Sequence, residues 1–492
     1  MKVALYVPPI PDESTTLSLG PLYLLAVLER HGFDGRVFDA RIDRGAFRKL
    51  VAFEPDVLGV TAVTPGYLGG LRAATKLKAL RPGARVVFGG PHPTSLPEQV
   101  VAEPAVDYVL CGEAEKTFLA LCSRLRDGEA SPASLREVHG LAFREGEGVV
   151  LTERGPLLSP QELDELPPPA FHRMDLDAYF AGTQTHGLFR RGKRILPLMT
   201  TRGCPQSCTF CCRVMGAQIR ARSVESVMAD VRALVGYYGV DEVYFEDDNF
   251  TVRRERALEI LDRMAALKPP VWLKFANGIR ADRVDRGLLD AMKRARVYSL
   301  SFGIESGSPA TLARMKKHLD LGQARENVLL AKSLGFLVGA NCIIGYPGET
   351  VDDIRESLDF FLGLPLDSMA IVNLVPFPGT EVRELCEREG YLTEEAGNWD
   401  NYYFSINHLI PLIETPQLSR KALVAAVRTA YRRMYLRPRW IAQSIRRLSP
   451  RQILRGGGVL LGLRKRARTP DVEGLEDVRL ASEADSAERG GR

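Results

Sequence analysis

"ILPLMTTRGCPQSCTFCC", residues 195–212, joins two kinds of sequence. Its first seven residues read as a short buried strand. The rest places four of the chain's eight cysteines within nine positions. Strand-like runs then recur at "DEVYFED" (241–247), "VWLKFANG" (271–278), "VYSLSFGIESG" (297–307), "FLVGANCIIGYPGE" (336–349) and "SMAIVNLVPFPGT" (368–380), with helical patterns between them. "SVES" opens the first of those helices with Ser223 as its cap and Glu225 close behind. Six βα units in succession predict a barrel or part of one. In such folds the chemistry sits at the C-terminal ends of the strands. The cysteines lie just past the end of the first strand, which is the position of an active-site loop.

Upstream, residues 1–130 show the same alternation. "KVALYV" (2–7) reads as a buried strand and "GPLYLLAVLERHG" (20–32) as a helix ending at Gly32. "GRVFDAR", "DVLGVTAV" (56–63), "ARVVFGG" (84–90) and "VDYVLCG" (106–112) follow as strands, the later ones separated by helix-length segments. This order implies a parallel sheet with helices on both faces. Right-handed crossovers place the loops after the strands along one edge. Residues 131–190 break the rhythm. "HGLAFREGEGVVLTERG" reads as a hairpin with Gly-rich turn chemistry, and "DELPPPAFHRMD" as a Pro-stiffened connector. The expected fold is therefore α/β. An N-terminal Rossmann-like doubly wound parallel sheet (1–130) leads through a linker with hairpin (131–190) to a partial (β/α)6 barrel (191–385). A basic helical C-terminal region (386–468) and a disordered tail (469–492) follow.

A chain of 492 residues exceeds one ordinary domain, in keeping with that division. No uncharged apolar run reaches the ~18–20 residues of a membrane helix. The N-terminus, "MKVALYVPPIPDES", lacks the parts of a signal peptide, so the expected location is the cytoplasm. The net charge of +5 is locally concentrated. Thr415 through Pro470 contains no Asp or Glu, while Arg and Lys recur throughout.

Cytosolic cysteines serve more often as ligands, catalysts or buried apolar groups than as disulfides. Cys204, Cys208 and Cys211 have the spacing C-x3-C-x2-C. Three thiolates suit an iron–sulfur cubane whose fourth iron stays open for a small molecule. The alternative is zinc, with Cys212 or a distant residue as fourth ligand. Zinc ligands usually come as two separated pairs, and Cys111, Cys122, Cys342 and Cys386 form none.

"CPQSCTFC" resembles the signature of the radical S-adenosylmethionine (SAM) enzymes, including the aromatic Phe210 before the third cysteine. The resemblance implies a 4Fe–4S cluster on Cys204, Cys208 and Cys211, with SAM chelating the open iron. One electron from the cluster then splits the sulfonium and releases a 5′-deoxyadenosyl radical that abstracts hydrogen from unactivated carbon. It also implies SAM contacts at the other strand ends. "YFEDDNF" offers Glu246, Asp247 and Asp248, with Glu246 or Asp247 expected to receive the SAM ammonium; a solvated acidic loop is the plainer reading. Glu305 of "SFGIESG" is the expected partner of the ribose hydroxyls, unless Lys316 or Lys317 takes it in a salt bridge. "NCIIGYPGE" approximates the family's adenine-stacking segment through Asn341, Ile343 and Gly345, with its Glu one residue late at Glu349. Gly345, Pro347 and Gly348 would serve equally to make a tight turn.

The fusion of a doubly wound domain to such a barrel resembles the cobalamin-binding group of these enzymes. "VTAVTPGY", "GGPHPT" (89–94) and "GEAEKTF" (112–118) carry the likeness. Thr61 and Thr64 are placed to bond the cobalamin tail, and Gly89 and Gly90 to let the macrocycle approach. His92 is either a corrin contact or a turn residue. The loop after the first strand, "PPIPDESTTLSLG", has no His, so no lower axial ligand is expected from it. A scaffold without ligand is the alternative for this domain.

The expected function is a radical SAM enzyme using a 4Fe–4S cluster, SAM and cobalamin to methylate an unactivated carbon of a small-molecule, lipid or tetrapyrrole-like substrate. A ring-forming, rearranging or oxidative enzyme of the same architecture is the second reading. A non-catalytic cobalamin or metal sensor would show a degraded cysteine motif, and this one is intact. An electron donor such as flavodoxin or ferredoxin is the expected partner, and no nucleic acid is expected. The Arg-rich, apolar-studded stretch around Trp440 and Ile441 suits peripheral contact with an anionic membrane, a cap over an anionic substrate, or a solvated helical pair.

Overall fold

The structure is a computed structural model that describes residues 1–11, 16–182, 189–275, 277–403, 409–438 and 440–441. The tail, and nearly all of the basic stretch assigned to a membrane or a substrate cap, lie outside the described residues. Two compact units divide between Gln184 and Thr185.

The first unit is built on a seven-stranded sheet of order β2-β1-β3-β4-β5-β6-β7. Its strands are β1 (Lys2–Val7), β2 (Asp34–Asp39), β3 (Val57–Thr61), β4 (Arg85–Gly89), β5 (Tyr108–Leu110), β6 (Leu141–Glu145) and β7 (Gly148–Leu151). β1 through β5 are parallel. Continuous apolar runs mark strands covered on both faces, and β1 is buried from Val3 to Val7. At the edge, β2 leaves Asp34 and Arg36 exposed. Helices α1 (Leu19–Arg30), α2 (Ala46–Phe53), α3 (Tyr67–Leu80) and α4 (Glu115–Asp127) lie in the crossovers and after β5. Leu25, Leu28, Phe118 and Leu121 from two of them meet Val3, Leu5 and Leu110 in one core.

The hairpin expected in the connector extends this sheet. β6 pairs antiparallel with β5, Val109 opposite Ala142, and β7 pairs with β6. The Pro-rich segment also folds back on the first unit: the Ala170 N–H donates to Leu22 O at 3.1 Å, and the Leu17 N–H donates to the Tyr179 hydroxyl at 3.2 Å. A hairpin announces itself locally, but its sheet partner is a non-local choice.

The second unit contains β8 (Ile195–Leu198), a two-residue ladder of β9 (Thr201–Arg202) with β10 (Arg220–Ala221), then β11 (Glu242–Phe245), β12 (Trp272–Phe275), β13 (Ser299–Glu305), β14 (Leu337–Ile344) and β15 (Ser368–Asn373). β8, β11 and β12 form one parallel set, and β13, β14 and β15 another. Parallel bridges from Leu273 to Val297 and from Ile279 to Phe302 join the sets. Six parallel strands thus follow one another in chain order, as a partial barrel. The crossovers contain α5 (Val224–Tyr238), α6 (Arg254–Ala265), α7 (Arg286–Arg294), α8 (Leu321–Ser333) and α9 (Val351–Leu362). Ser223, Asp285, Asp320 and Thr350 cap four of these helices through side-chain oxygens. Each cap is worth about 1 kcal/mol.

After the barrel come α10 (Glu381–Arg388) and α11 (Arg420–Tyr435). Between them, Gly390, Gly397 and Pro411 disfavour a helix, and the described residues form short 3-10 turns and a bridge from Leu392 to Ile413. α11 covers the open edge of the barrel. The Met369 N–H donates to the Tyr435 hydroxyl at 3.0 Å, which in turn donates to Met369 O at 2.9 Å. The Ile371 N–H donates to the Tyr431 hydroxyl at 3.3 Å. Residues four apart on a helix thus meet residues two apart on a strand. Trp440 donates its indole N–H to Asp367 O at 2.8 Å, so its ring packs on the barrel. Among the described residues no helix is long and apolar enough to cross a membrane.

Candidate functional site

The cysteine loop leaves the C-terminal end of β8 and is closed at its base by the β9–β10 ladder, Arg202 opposite Arg220 and Thr201 opposite Ala221. Thr200, at the root, is gripped from two sides. The Asp247 carboxylate accepts from the Thr200 N–H, the Thr200 hydroxyl and the Thr201 N–H. Arg256 donates to Thr200 O at 3.0 Å. Gly203 follows at φ +86°, and a Cβ there would lie 2.3 Å from Gln218 O, so only glycine fits. The Cys204 N–H donates to Gly216 O at 3.2 Å, and the Cys211 N–H to Cys208 O at 3.2 Å.

The loop is also tied to the far strands. Thr209 donates its N–H to Met315 O at 3.1 Å, and its hydroxyl lies 2.7 Å from that of Tyr346. The Val382 N–H donates to Thr209 O at 3.0 Å. Phe210 and Ile343 both pack against a cluster that includes Met315, Tyr346 and Leu374. Two residues assigned to SAM from sequence are thereby brought together. The buried Arg280 guanidinium, paired twice with Asp282, donates to Gln206 Oε1 at 3.1 Å, to Lys317 O at 3.1 Å and to His318 O at 2.7 Å. It locks the cysteine loop to the turn that follows the helix at Pro309–Arg314.

The three thiols face one charged neighbourhood. The hydrogen bond from Cys211 holds the Cys208 thiol low, with help from the Lys317 ammonium, and the same bond pushes Cys211 up. Burial raises Cys204, which also feels the charge of Cys208. Cys212 turns away, its Sγ 3.6 Å from Pro378 O. Among the described residues, no three His, Cys, Asp or Glu side chains already stand at metal-binding separation.

The remaining expected contacts divide. Asp247 is buried and both its oxygens accept bonds from the loop root, so it holds the loop. Asp248 accepts from the Gly203 N–H. Glu246 is half-buried beside it, and Asn277 donates its side-chain N–H to Glu246 O at 2.9 Å and to Asp247 O at 3.4 Å, fixing the acidic run. Glu305 sits at φ +74° in a bulge between β13 and β14, and its Oε1 accepts from Lys317 Nζ at 3.1 Å. The salt bridge weighed for it is thus present, while Lys316 pairs with Glu381 at 2.5 Å. Gly345 and Gly348 both have positive φ, and Glu349 accepts from the N–H groups of Gly345 and Tyr346. The "GYPGE" segment therefore forms a tight turn. Asn341 lines the same face of β14 as Ile343, in register with Gly303 and Ala370. Arg256, Arg280, Asn277 and Tyr346 had no signal in the sequence, because each acts on groups far away in the chain.

In the first unit the expected cobalamin residues gather at the ends of β3 and β4. Gly90 has φ +99°, and a Cβ there would lie 3.0 Å from Ala62 O, so its own backbone demands glycine. Gly89 differs: a Cβ there would meet only Leu110, at 3.7 Å or beyond. Nothing lies within 4 Å of a Cβ at Gly112, whose N–H donates to the Thr94 hydroxyl at 2.9 Å. Gly89, whose Cβ position is in ordinary contact with Leu110, and Gly112, whose Cβ position is open, lie at the ends of the adjacent strands β4 and β5 and make up a glycine ledge. Thr61 Oγ1 is 3.3 Å from the Cβ position of Gly90, beside the ledge. His92 is buried, its ring 4.3 Å from that of Tyr67 and 3.4 Å from the Thr64 hydroxyl. Burial pushes its imidazole down to about 4, so it is neutral and sits inside the wall.

The radical SAM superfamily profile matches residues 198–361, and the B12 binding domain profile matches residues 13–122. Cytidylyl-2-hydroxyethylphosphonate methyltransferase of Streptomyces wedmorensis is 30% identical over 77% of this chain and 79% of its own length. The chain belongs to the cobalamin-dependent radical SAM family. An uncharacterised methyltransferase of Pyrococcus horikoshii is 29% identical over 90% of this chain and 95% of its own. Among solved structures, the radical SAM methyltransferase TsrM of Kitasatospora setae, with tryptophan bound, shares the fold at a TM-score of 0.65 and 20% identity, covering 79% of this chain and 76% of its own. The donor set fits the cofactors of this radical SAM family. Three thiols share one loop with two in contact, a fourth turns away, and the Gly89–Gly112 ledge leaves room for a flat group.

Proposed function

We propose that this radical SAM enzyme is a C-methyltransferase acting on a polar small molecule. The observation that carries the reading is that one chain has both a three-thiol loop at a barrel strand end and a glycine ledge at the strand ends of a B12-binding unit. When bound, the cluster with SAM supplies a carbon-centred radical for hydrogen abstraction, and cobalamin supplies the methyl group.

Around these groups the chain's own residues do the positioning. Cys204, Cys208 and Cys211 would hold the cluster. Phe210 and Ile343 supply an apolar wall for the adenine, and Asn341 a hydrogen-bonding group beside it. Glu246 and Asp248 are the acids proposed for the SAM ammonium, since Asp247 is spent on Thr200 and Thr201. Thr61 and Thr64 stand beside the ledge proposed for cobalamin, and His92 supports it from behind.

The substrate class is argued from the barrel lumen. The faces of β13 to β15 away from the apolar packing carry two middle rows in register, Ser301, Gly339 and Ser368, then Gly303, Asn341 and Ala370, with Leu337 before them and Ile343 and Val372 after them. Leu300, Phe302, Val338, Ala340, Met369 and Ile371 on the opposite face are buried. Barrel lumens are ordinarily filled by Val, Ile and Leu. Here the middle-row residues are small or polar, and Ala370 is exposed in the middle of its strand. Such a wall suits a hydrogen-bonding substrate better than a hydrocarbon.

The test is product accounting. Enzyme reconstituted without oxygen, loaded with cobalamin and reduced, should turn one SAM into S-adenosylhomocysteine before any substrate is added. With substrate, each methylation should release one S-adenosylhomocysteine and one 5′-deoxyadenosine. Cobalamin uptake with only 5′-deoxyadenosine formed would favour the ring-forming or oxidative reading. No cobalamin uptake under any condition would reduce the first unit to a scaffold and end the methyltransferase reading.

A further inference from the structure

Three non-glycine residues around the cysteine loop have left-handed backbones: Glu305 (φ +74°), Lys316 (φ +51°) and His318 (φ +45°). Such conformations are costly for side-chain-bearing residues and persist only where surrounding structure fixes them. Their common centre is Lys317. Arg280 grips its carbonyl and the next one, so the turn is clamped. The lysine side chain is buried, 11% exposed, and its Nζ lies 3.1 Å from Glu305 Oε1, itself 11% exposed. The same ammonium is 6.0 Å from the centre of the Phe210 ring. Its charge acts on Cys204, Cys208 and Cys211 alike. Gly303 leaves room for the pair, since a Cβ there would lie 2.9 Å from Glu305 Oε1 and 3.4 Å from Lys317 Nζ. Arg280, already paired with Asp282, also acts on Cys208, and Asp248 acts on Cys204.

We propose that the buried Lys317–Glu305 pair sets the reduction potential of the cluster on the three-cysteine loop, with Lys317 easing reduction and Glu305 restraining it. The physical reason is charge. Reduction adds one negative charge to a group already held by thiolates, and cluster potentials follow net charge and exposure. A fixed cation close by in a water-poor site stabilises the reduced state more than the oxidised one. A neighbouring carboxylate offsets part of that effect, and the strained backbone holds both at set distances.

The proposal rests on the three cysteines holding a 4Fe–4S cluster, and iron content keeps the two ideas separable. The measurement is a one-electron redox titration of the reconstituted full chain without SAM, with iron and sulfide determined on each sample. Lys317→Met should move the midpoint negative. At the wild-type midpoint, its ratio of reduced to oxidised cluster should fall about tenfold, which is about 59 mV for one electron. Glu305→Gln should move the midpoint the other way, and Lys317→Arg should stay near wild type. If Lys317→Met takes up no iron, Glu305→Gln carries the test alone, because it keeps the lysine and changes charge with the opposite sign. Unchanged potentials in the variants that hold iron, or a negative shift in Glu305→Gln, would overturn the proposal. Wild-type protein without iron would overturn the cluster reading and this one with it.

Discussion

Glu349 turns its carboxylate into the protein, where one oxygen accepts from Gly345 and Tyr346 and the other has no hydrogen-bond partner among the described residues. Burial raises it from 4.5 to about 7, against those two bonds. A carboxyl with a folded-state value above its unfolded one is favoured as the neutral acid. Its contribution is fully present below about 4.5 and lost as pH rises through about 7. Thermal unfolding of wild type and Glu349→Gln should therefore diverge with pH, the glutamine variant gaining on the order of 3 kcal/mol relative to wild type at alkaline pH. Parallel curves would remove this role. Asp247 is the contrasting acid. Asp247→Ala would orphan three buried donors at the loop root, and a stability loss of about 3 kcal/mol is expected from denaturant unfolding, with less in Asp247→Asn, whose amide oxygen still accepts. For the thiols, replacing Cys204, Cys208 or Cys211 by Ala should abolish the iron and the broad absorbance of the reconstituted protein. Cys212→Ala should keep both.

At the scale of elements, the last barrel strand shows how an open edge is managed. Among the described residues β15 pairs with β14 on one side only, and an unpaired strand edge invites further pairing. α11 closes it with tyrosine hydroxyls instead of a further strand. Tyr435→Phe would leave the Met369 N–H and carbonyl unpaired, at a cost of about 1–3 kcal/mol. Hydrogen exchange should report this as faster exchange at Met369, with Ile371, held by Tyr431, and the amides of β13 changed less. Tyr431→Phe, which breaks one longer bond, should have the smaller effect. The helix α5 was legible from its cap Ser223, because a cap acts within three residues, and the other barrel helices from their apolar spacing. The closure by α11 was not, because Tyr431 and Ile371 are sixty residues apart in the chain.

At the scale of the whole molecule, the two units carry separable cofactor demands. Gly89→Leu places its side chain over the ledge while its Cβ meets only Leu110, at an ordinary distance. Cobalt uptake should be lost, iron content kept, and thermal stability changed by less than about 0.5 kcal/mol. S-adenosylhomocysteine formation should stop, while SAM cleavage to 5′-deoxyadenosine persists. Substitution at Gly90 is a poorer probe, since its positive φ and the nearby Ala62 carbonyl would strain any side chain there.

The sequence by itself determined the order of strands and helices and the barrel of the second unit, and it carries the cysteine spacing on which the cluster thiols are proposed. Each of these is written in short-range signals: apolar runs of strand length, caps next to helices, and the spacing C-x3-C-x2-C. Only the tertiary structure decided which partner each chemical group meets. "EDD" reads as three similar acids, yet Asp247 closes on Thr200 and Thr201 while Asp248 reaches Gly203. Lys316 and Lys317 are adjacent and alike in sequence. The left-handed turn clamped by Arg280 sends one to Glu381 at 2.5 Å and buries the other against Glu305 beside the cysteines. The hairpin of β6 and β7 was visible, but its place at the end of the first sheet was not. The reason is common to all three: hydrogen-bond and ion-pair partners are set by which strand ends and loops the fold brings together, and local sequence carries no record of that meeting.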